Sequence, residues 1–351
     1  LLDDNSTHAR DRLADLVRRH FLWLLLACYA LAAIWPKPGL AMRQWEWSSA
    51  RLAEVPLSLP LFLLAVMLFS AALLTDVSQI RLVSRHPIVL FIALVAVWLG
   101  PALVVLVAGW LIPPVVDSQT TAGLLVGLAL VATMPVANSS VGWIQNANGN
   151  LGLGLALVVL SILLCPWLTP NLLSLLGMSL SESERADCET LVSRFSGVFF
   201  IIWVILPTAA GLACRYVMTP RRVAAASSWF VLASAAALLL LNYANSALAL
   251  PKIGDTPISL LLATVALATV LSVVGLTLGW ALAWLIRVKP PTRSTLMFGL
   301  SMKHTGLALL LAGAVLADQP LAILIIVLAT LVQHLLAGVV QWWLLRHANE
   351  T

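Results

Sequence analysis

The sequence predicts an all-α integral membrane protein of ten transmembrane helices, built as two inverted five-helix repeats with crossed, discontinuous helices 4 and 9. Three observations predict it. Of 351 residues, 61% are hydrophobic and 10% charged, against roughly 25% charged in an ordinary soluble domain. Ten apolar runs follow one another, parted midway by one long polar stretch. Two of those runs, at corresponding places in the two halves, are interrupted by helix breakers and polar residues.

A chain this apolar must turn much of its surface to lipid. The net charge of +5 does not point to nucleic acid, because the basic residues stand singly between apolar runs and form no stripe. Cys28, Cys165, Cys188 and Cys214 show no metal or redox spacing. No metal or cofactor is expected; the four read as packing residues, with exposure in the polar connection left as the alternative for Cys188. Residues 1–19 are polar and end in a basic cluster with no small-residue cleavage site after it, which reads as a cytoplasmic amphipathic lead-in.

A span needs about 20 apolar residues. The runs fall at 20–35, 56–75, 87–112, 120–146 and 150–176, then at 192–217, 224–248, 257–286, 294–317 and 320–345. The first repeat is therefore 20–176, the outer polar connection 177–191, and the second repeat 192–346. An odd number of spans per half gives the halves opposite orientations, the arithmetic of an inverted repeat.

With the N-terminus inside, thirteen Lys and Arg lie on the cytoplasmic side, including Arg12, Arg19, Arg81, Arg85, Arg221, Arg222, Arg287 and Arg346. Five lie outside, Lys37, Arg43, Arg51, Arg185 and Lys252. The positive-inside rule then places both termini in the cytoplasm of a multi-pass protein of the inner (plasma) membrane. Several tryptophans near run ends, Trp35, Trp110, Trp342 and Trp343, read as an interfacial belt, and Trp45 and Trp47 flank Glu46 in the first outer loop.

None of the fifteen acidic residues, from Asp3 through Asp76, Asp117 and Asp318 to Glu350, falls in the middle of a run. Among the basic residues Lys303 alone lies deep in one, LMFGLSMKHTGLALLLAGAVL. An ionisable group at that depth is a functional candidate by default. It acts either as a substitute for a bound ion or as a proton carrier; a purely structural ammonium held by carbonyls is the plainer alternative.

The fourth run breaks at MPVANSSVGWIQNANGN and the ninth at GLSMKHTGLA. Pro135 removes an amide donor, and irregular backbone at membrane depth persists only inside protein or along a cavity. Half-helix ends exposed there offer amides to anions and carbonyls to cations. Asn138, Ser139, Ser140, His304 and Thr305 are accordingly expected to bind substrate. Asn242 and Asn245 in the seventh run either join them or close an interhelical hydrogen bond. Gln333 and His334 of the last run are expected to pack against the ninth.

At these residues the sequence resembles the bile acid:sodium symporter family. The likeness rests on Pro135, Ser140, Gly149 and Asn150, on LSILLCPWLTP in the fifth run, HPIVLFIALVAVWLGP opening the third, and MKHTGLA in the ninth. It implies a panel domain of spans 1, 2, 6 and 7, a core domain of spans 3, 4, 5, 8, 9 and 10, and alternating access of organic anions between them. The family's sodium ligands do not carry over, because Val141, Gly154, Val158, Gly299, Ala96 and Lys303 stand at their positions and Ser140 alone survives. Sodium needs several hard oxygen ligands, and a fixed ammonium nearby opposes it.

The expected function is sodium-independent secondary transport of a small or amphipathic organic anion, with protons as a possible coupling partner through Lys303 or His304. Membrane lipid is the other expected partner. The rival readings are a ligand-binding membrane sensor that does not transport, and a cation/proton antiporter, which the missing intramembrane carboxylate disfavours. No catalytic residue set can be matched by spacing, so an enzyme is not expected.

Overall fold

The computed structural model describes residues 2–52, 55–75, 87–112, 118–194 and 197–347. Arg81, Arg85, Asp76, Asp117 and Glu350 lie outside them. Helices dominate, and six of those described are long and apolar enough to cross a membrane by length and composition. Proline opens many of them, as at Pro36, Pro87, Pro220, Pro290 and Pro320. Its fixed φ suits the first turn, where its missing amide would have no helical acceptor.

The chain forms two compact units. The first comprises residues 1–75 with 197–251. It contains α1 (Leu2–Arg19), α2 (Phe21–Ile34), α3 (Pro36–Gln44), α4 (Leu59–Leu74), α10 (Val198–Val217) and α11 (Pro220–Ala249). α10 includes a π-helical stretch at Ile201–Ile205. α1, α2, α3 and α4 all pack on α11. Asn242 and Asn245, which are buried, fasten that packing. Tyr29 Oη donates to Asn242 Oδ1 at 2.9 Å and Arg43 Nη1 to Asn245 Oδ1 at 3.2 Å. Each amide nitrogen donates to a carbonyl one turn back on α11. Of the two readings open for these asparagines, the geometry is that of the interhelical hydrogen bond.

This unit departs from an all-α expectation at one place. The connection between α3 and α4 is a hairpin, β1 (Glu46–Leu52) paired antiparallel with β2 (Val55–Ser58). Pro56 biases Val55 towards extended backbone, and the chain turning back between α3 and α4 pairs its backbone groups across the two strands.

The second unit comprises residues 76–196 with 252–351. It contains α5 (Pro87–Leu111), α6 (Ser118–Thr133), α7 (Ser139–Asn146), α8 (Leu151–Gly177) and α9 (Glu182–Arg194). From the second half of the chain come α12 (Ile258–Leu285), α13 (Pro290–Ser301), α14 (Thr305–Val315) and α15 (Pro320–His347). The fourth and ninth apolar runs are thus each two helices, α6 with α7 and α13 with α14.

Two Gly-x-x-x-Gly pairs set the half-helices in place. A Cβ on Gly275 or Gly279 of α12 would lie 2.5 Å from Ser301 Cα or the Leu296 carbonyl oxygen of α13. One on Gly127 of α6 would lie 2.6 Å from the Ala322 carbonyl oxygen of α15, with Gly123 one turn earlier on the same face. Backbone therefore rests on backbone, the contact that drives helix association where the surroundings are as apolar as the side chains.

The polar connection is itself helical. Its α9 packs on α8, α6 and α14, and Cys188, for which the sequence left packing or exposure open, is fully buried beside Gly177. Burial pushes its thiol up to about 12. The reason lies in spacing: Glu184, Cys188 and Leu191 recur at helical intervals and form the face turned inward.

Candidate functional site

Pro135 begins the site. It has no amide to continue α6, so the chain unwinds from Met134 to Asn138 before α7 starts. In the other half the chain unwinds from Met302 to His304 between α13 and α14. The two unwound stretches meet antiparallel, with Val136 opposite Lys303. Ala137 N–H donates to the Met302 carbonyl and His304 N–H to the Pro135 carbonyl, both at 2.9 Å. Neighbouring helices satisfy amides that remain. Val136 N–H reaches Ser161 Oγ at 3.1 Å. Gln333 of α15 grips the Lys303 peptide from both ends, accepting from its N–H at 3.0 Å and donating to its carbonyl at 3.3 Å. Buried backbone groups must be paired, and here side chains do what the helix cannot.

The Lys303 side chain is buried, 2% exposed. Its Nζ donates to the Val97 carbonyl and, at 3.2 Å, to the Met134 carbonyl. Both acceptors are available for a stated reason. Val97 lies one turn before Pro101 inside α5, and a proline there supplies no amide to it. Met134 sits just past the C-terminal, partially negative end of α6. The adjacent Thr133 carbonyl lacks Ala137, which has gone to Met302, and accepts instead from Trp98 Nε1 at 3.0 Å and Thr169 Oγ1 at 2.8 Å. Protein-borne donors thus occupy the negative end of the broken fourth run.

The positive end of α7 is furnished differently. Asn138 and Ser140 stand at its start, Ser140 fully buried and Asn138 half-buried. Both polar atoms of the Asn138 side chain and the Ser140 hydroxyl are buried without a hydrogen-bond partner among the described residues. Ser139 is half-buried beside them. None of these side chains is bonded to Lys303 Nζ, which donates to the Val97 and Met134 carbonyls instead. The reason is direction: Pro101 frees a carbonyl on α5, and the lysine extends towards it.

His304 caps α14, its Nδ1 accepting from Leu307 N–H at 3.2 Å, which leaves the ring proton to Nε2. Thr305 is buried, and its backbone N–H donates to the Lys303 carbonyl at 2.8 Å. Trp143 of α7 stacks on Phe298 of α13, ring centroids 6.4 Å apart, and lies 6.5 Å from the His334 ring. Asn150 caps α8 by accepting from Leu153 N–H at 3.1 Å, while its own N–H donates to the Pro291 carbonyl.

One crossing therefore gathers Lys303, His304, Thr305, Asn138, Ser139 and Ser140, all within the second unit. Asn242 and Asn245 belong to the first. Sequence reading placed Gln333 near the ninth run but missed its two-sided grip, and it missed Pro101, Trp98 and Thr169. Pro101 held a readable signal, since a proline within a long apolar run frees a carbonyl one turn earlier. Among the described residues no group of three His, Cys, Asp or Glu is placed to hold a metal ion.

Comparison with known proteins adds two findings. The model of the SBF-like CPA transporter family matches residues 19–349. The uncharacterized protein YbaS of Bacillus subtilis (strain 168) is 26% identical over 256 residues, which are 73% of this chain and 78% of that protein.

Proposed function

The chain belongs to the SBF-like CPA transporter family, a family of membrane transporters and not of enzymes, and on that premise we propose that it carries a small or amphipathic organic anion by alternating access, without sodium. The observation that carries this reading is the Lys303 ammonium on the Val97 and Met134 carbonyls. A cation already tethered to the negative end of a broken helix takes the place of one recruited from solution.

Charge complementarity supports the anion. Donors fill the C-terminal end of α6, while the N-terminal end of α7 keeps Asn138 and Ser140 available, and amides at such an end favour negative charge. The positions that resemble sodium ligands are filled with hydrocarbon. A Cβ on Gly299 would meet Leu157 at 3.0 Å, and one on Gly154 would meet Ile144 at 2.7 Å. We take this chain as a divergent member of the family in that respect.

In this reading ten spans form two inverted five-helix repeats, with both termini in the cytoplasm and the protein in the inner (plasma) membrane. Four of the spans are short or broken: α2, α4, α6 with α7, and α13 with α14. The first unit serves as the panel domain and the second as the core domain that carries substrate. Proton coupling, if the cycle uses it, runs through Lys303 or His304, the ionisable groups at the crossing.

The test separates binding from stability. A buried hydroxyl without a partner stabilises nothing, so Ser140→Ala and Asn138→Ala should leave thermal unfolding of the ligand-free protein unchanged or slightly raised. Each should weaken binding of an organic anion, first found by stability screening, roughly tenfold for a lost hydrogen bond to a charged group. Proteoliposome uptake of the same anion distinguishes transport from the sensor alternative. Binding without uptake would establish the sensor, and proton-driven cation exchange without anion uptake would establish the antiporter.

A further inference from the structure

We propose that α1 is a membrane-surface helix whose outward face seats among anionic lipid headgroups. The inference starts from direction. The axis of Arg10–Val17 makes an angle of 71° with that of Phe21–Ile34, the apolar helix α2 that follows. With α2 across the bilayer, as the proposed function takes it to be, α1 runs close to the membrane plane.

One face of α1 is committed to the protein. Ala14 is buried against α11, Arg10 donates to the Ala225 carbonyl at 3.4 Å and lies 5.5 Å from the Trp229 ring centroid, and Ser228 donates to Asp11. The opposite face carries Arg12, Leu16 and Arg19 at helical spacing, with Leu13 at its edge, and all four are exposed. Trp23, at the start of α2, is exposed as well. Two guanidiniums interleaved with two leucines suit one surface: arginines on headgroup phosphates, leucines in the acyl boundary beneath. Arg221 and Arg222, exposed at the adjoining end of α11, add positive charge beside it. Asp15 is exposed on the flank nearer α11.

Binding is then electrostatic in selectivity and apolar in depth. An anionic leaflet attracts each nearby arginine by an amount that corresponds to about fivefold in affinity, and salt weakens it.

The experiment compares hydrogen exchange of the full chain in nanodiscs of phosphatidylcholine with that in nanodiscs containing phosphatidylglycerol. Amides of residues 10–19 should exchange more slowly with phosphatidylglycerol, and those of α9 at equal rates in both. The difference should shrink about fivefold for each of Arg12→Gln and Arg19→Gln, and Leu16→Asp should reduce protection in either lipid. Equal exchange of residues 10–19 in the two lipids, or a difference that survives the double arginine variant, would overturn the proposal. A chain that fails to enter nanodiscs at all would count against the membrane reading of α2 and not against lipid selectivity.

Discussion

Lys303→Ala should unfold at markedly lower temperature than the native protein, by an amount corresponding to about 3 to 5 kcal/mol. Two contributions add. Removing the side chain empties a fully packed volume, and it orphans the Val97 and Met134 carbonyls, which have no helical amide to return to. Lys303→Met separates them. It keeps most of the volume and discards the ammonium, so it should lose roughly 2 kcal/mol, the cost of unpaired carbonyls less the relief of a desolvated charge. Lys303→Arg should also be destabilised, because a planar guanidinium does not fit where a compact ammonium meets two carbonyls. Thermal unfolding of the three variants in one detergent is the measurement. If Lys303→Met matched or exceeded the native protein, the ammonium would be a cost tolerated at the crossing and not its tie.

Gly279→Ala should be the second severe change. The added carbon would lie 2.5 Å from the Leu296 carbonyl oxygen and 2.7 Å from Met297 Cα. Neither neighbour is a side chain that can swing away, so α12 and α13 must part along their line of contact. Overpacking of this kind costs typically 1 to 3 kcal/mol, and backbone against backbone belongs at about the upper end. α13 carries the Met302 end of the crossing, so the loss should reach the site. Binding of an organic anion to Gly279→Ala should weaken along with stability. Gly142→Ala is the control, since nothing lies within 4 Å of a Cβ there. Unfolding temperatures that fell equally in both variants would remove the close-packing account.

The sequence made the broken helices legible because they violate the rule that governs everything around them. A Lys-His-Thr run or an Ala-Asn-Ser-Ser run cannot face lipid, and Pro135 cannot continue a helix. What those breaks bind to each other was not legible. The antiparallel meeting of Val136 with Lys303 joins residues 167 positions apart, and no local period encodes it. The direction of the Lys303 side chain depended on Pro101, which reads in isolation as one more kink. Asn242 and Asn245 showed the converse limit. Their polarity at depth was visible, but Tyr29 and Arg43, more than 200 residues earlier, decided between a cavity and an interhelical bond. Residues 46–58 read only as a loop, and the helix that buries Cys188 read only as a polar connection. The inward face of that helix, Glu184, Cys188 and Leu191, is spaced at helical intervals, whereas the pairing of 46–52 with 55–58 follows no such period and depends on the elements it joins.

The central claim is that Lys303 stands in place of a recruited cation. Uptake of an organic anion into proteoliposomes, measured with sodium outside and then with sodium wholly replaced by potassium, tests it most directly. The account predicts equal initial rates in the two media; uptake that collapsed when sodium alone was withdrawn would contradict it, by showing that a sodium site operates beside the ammonium.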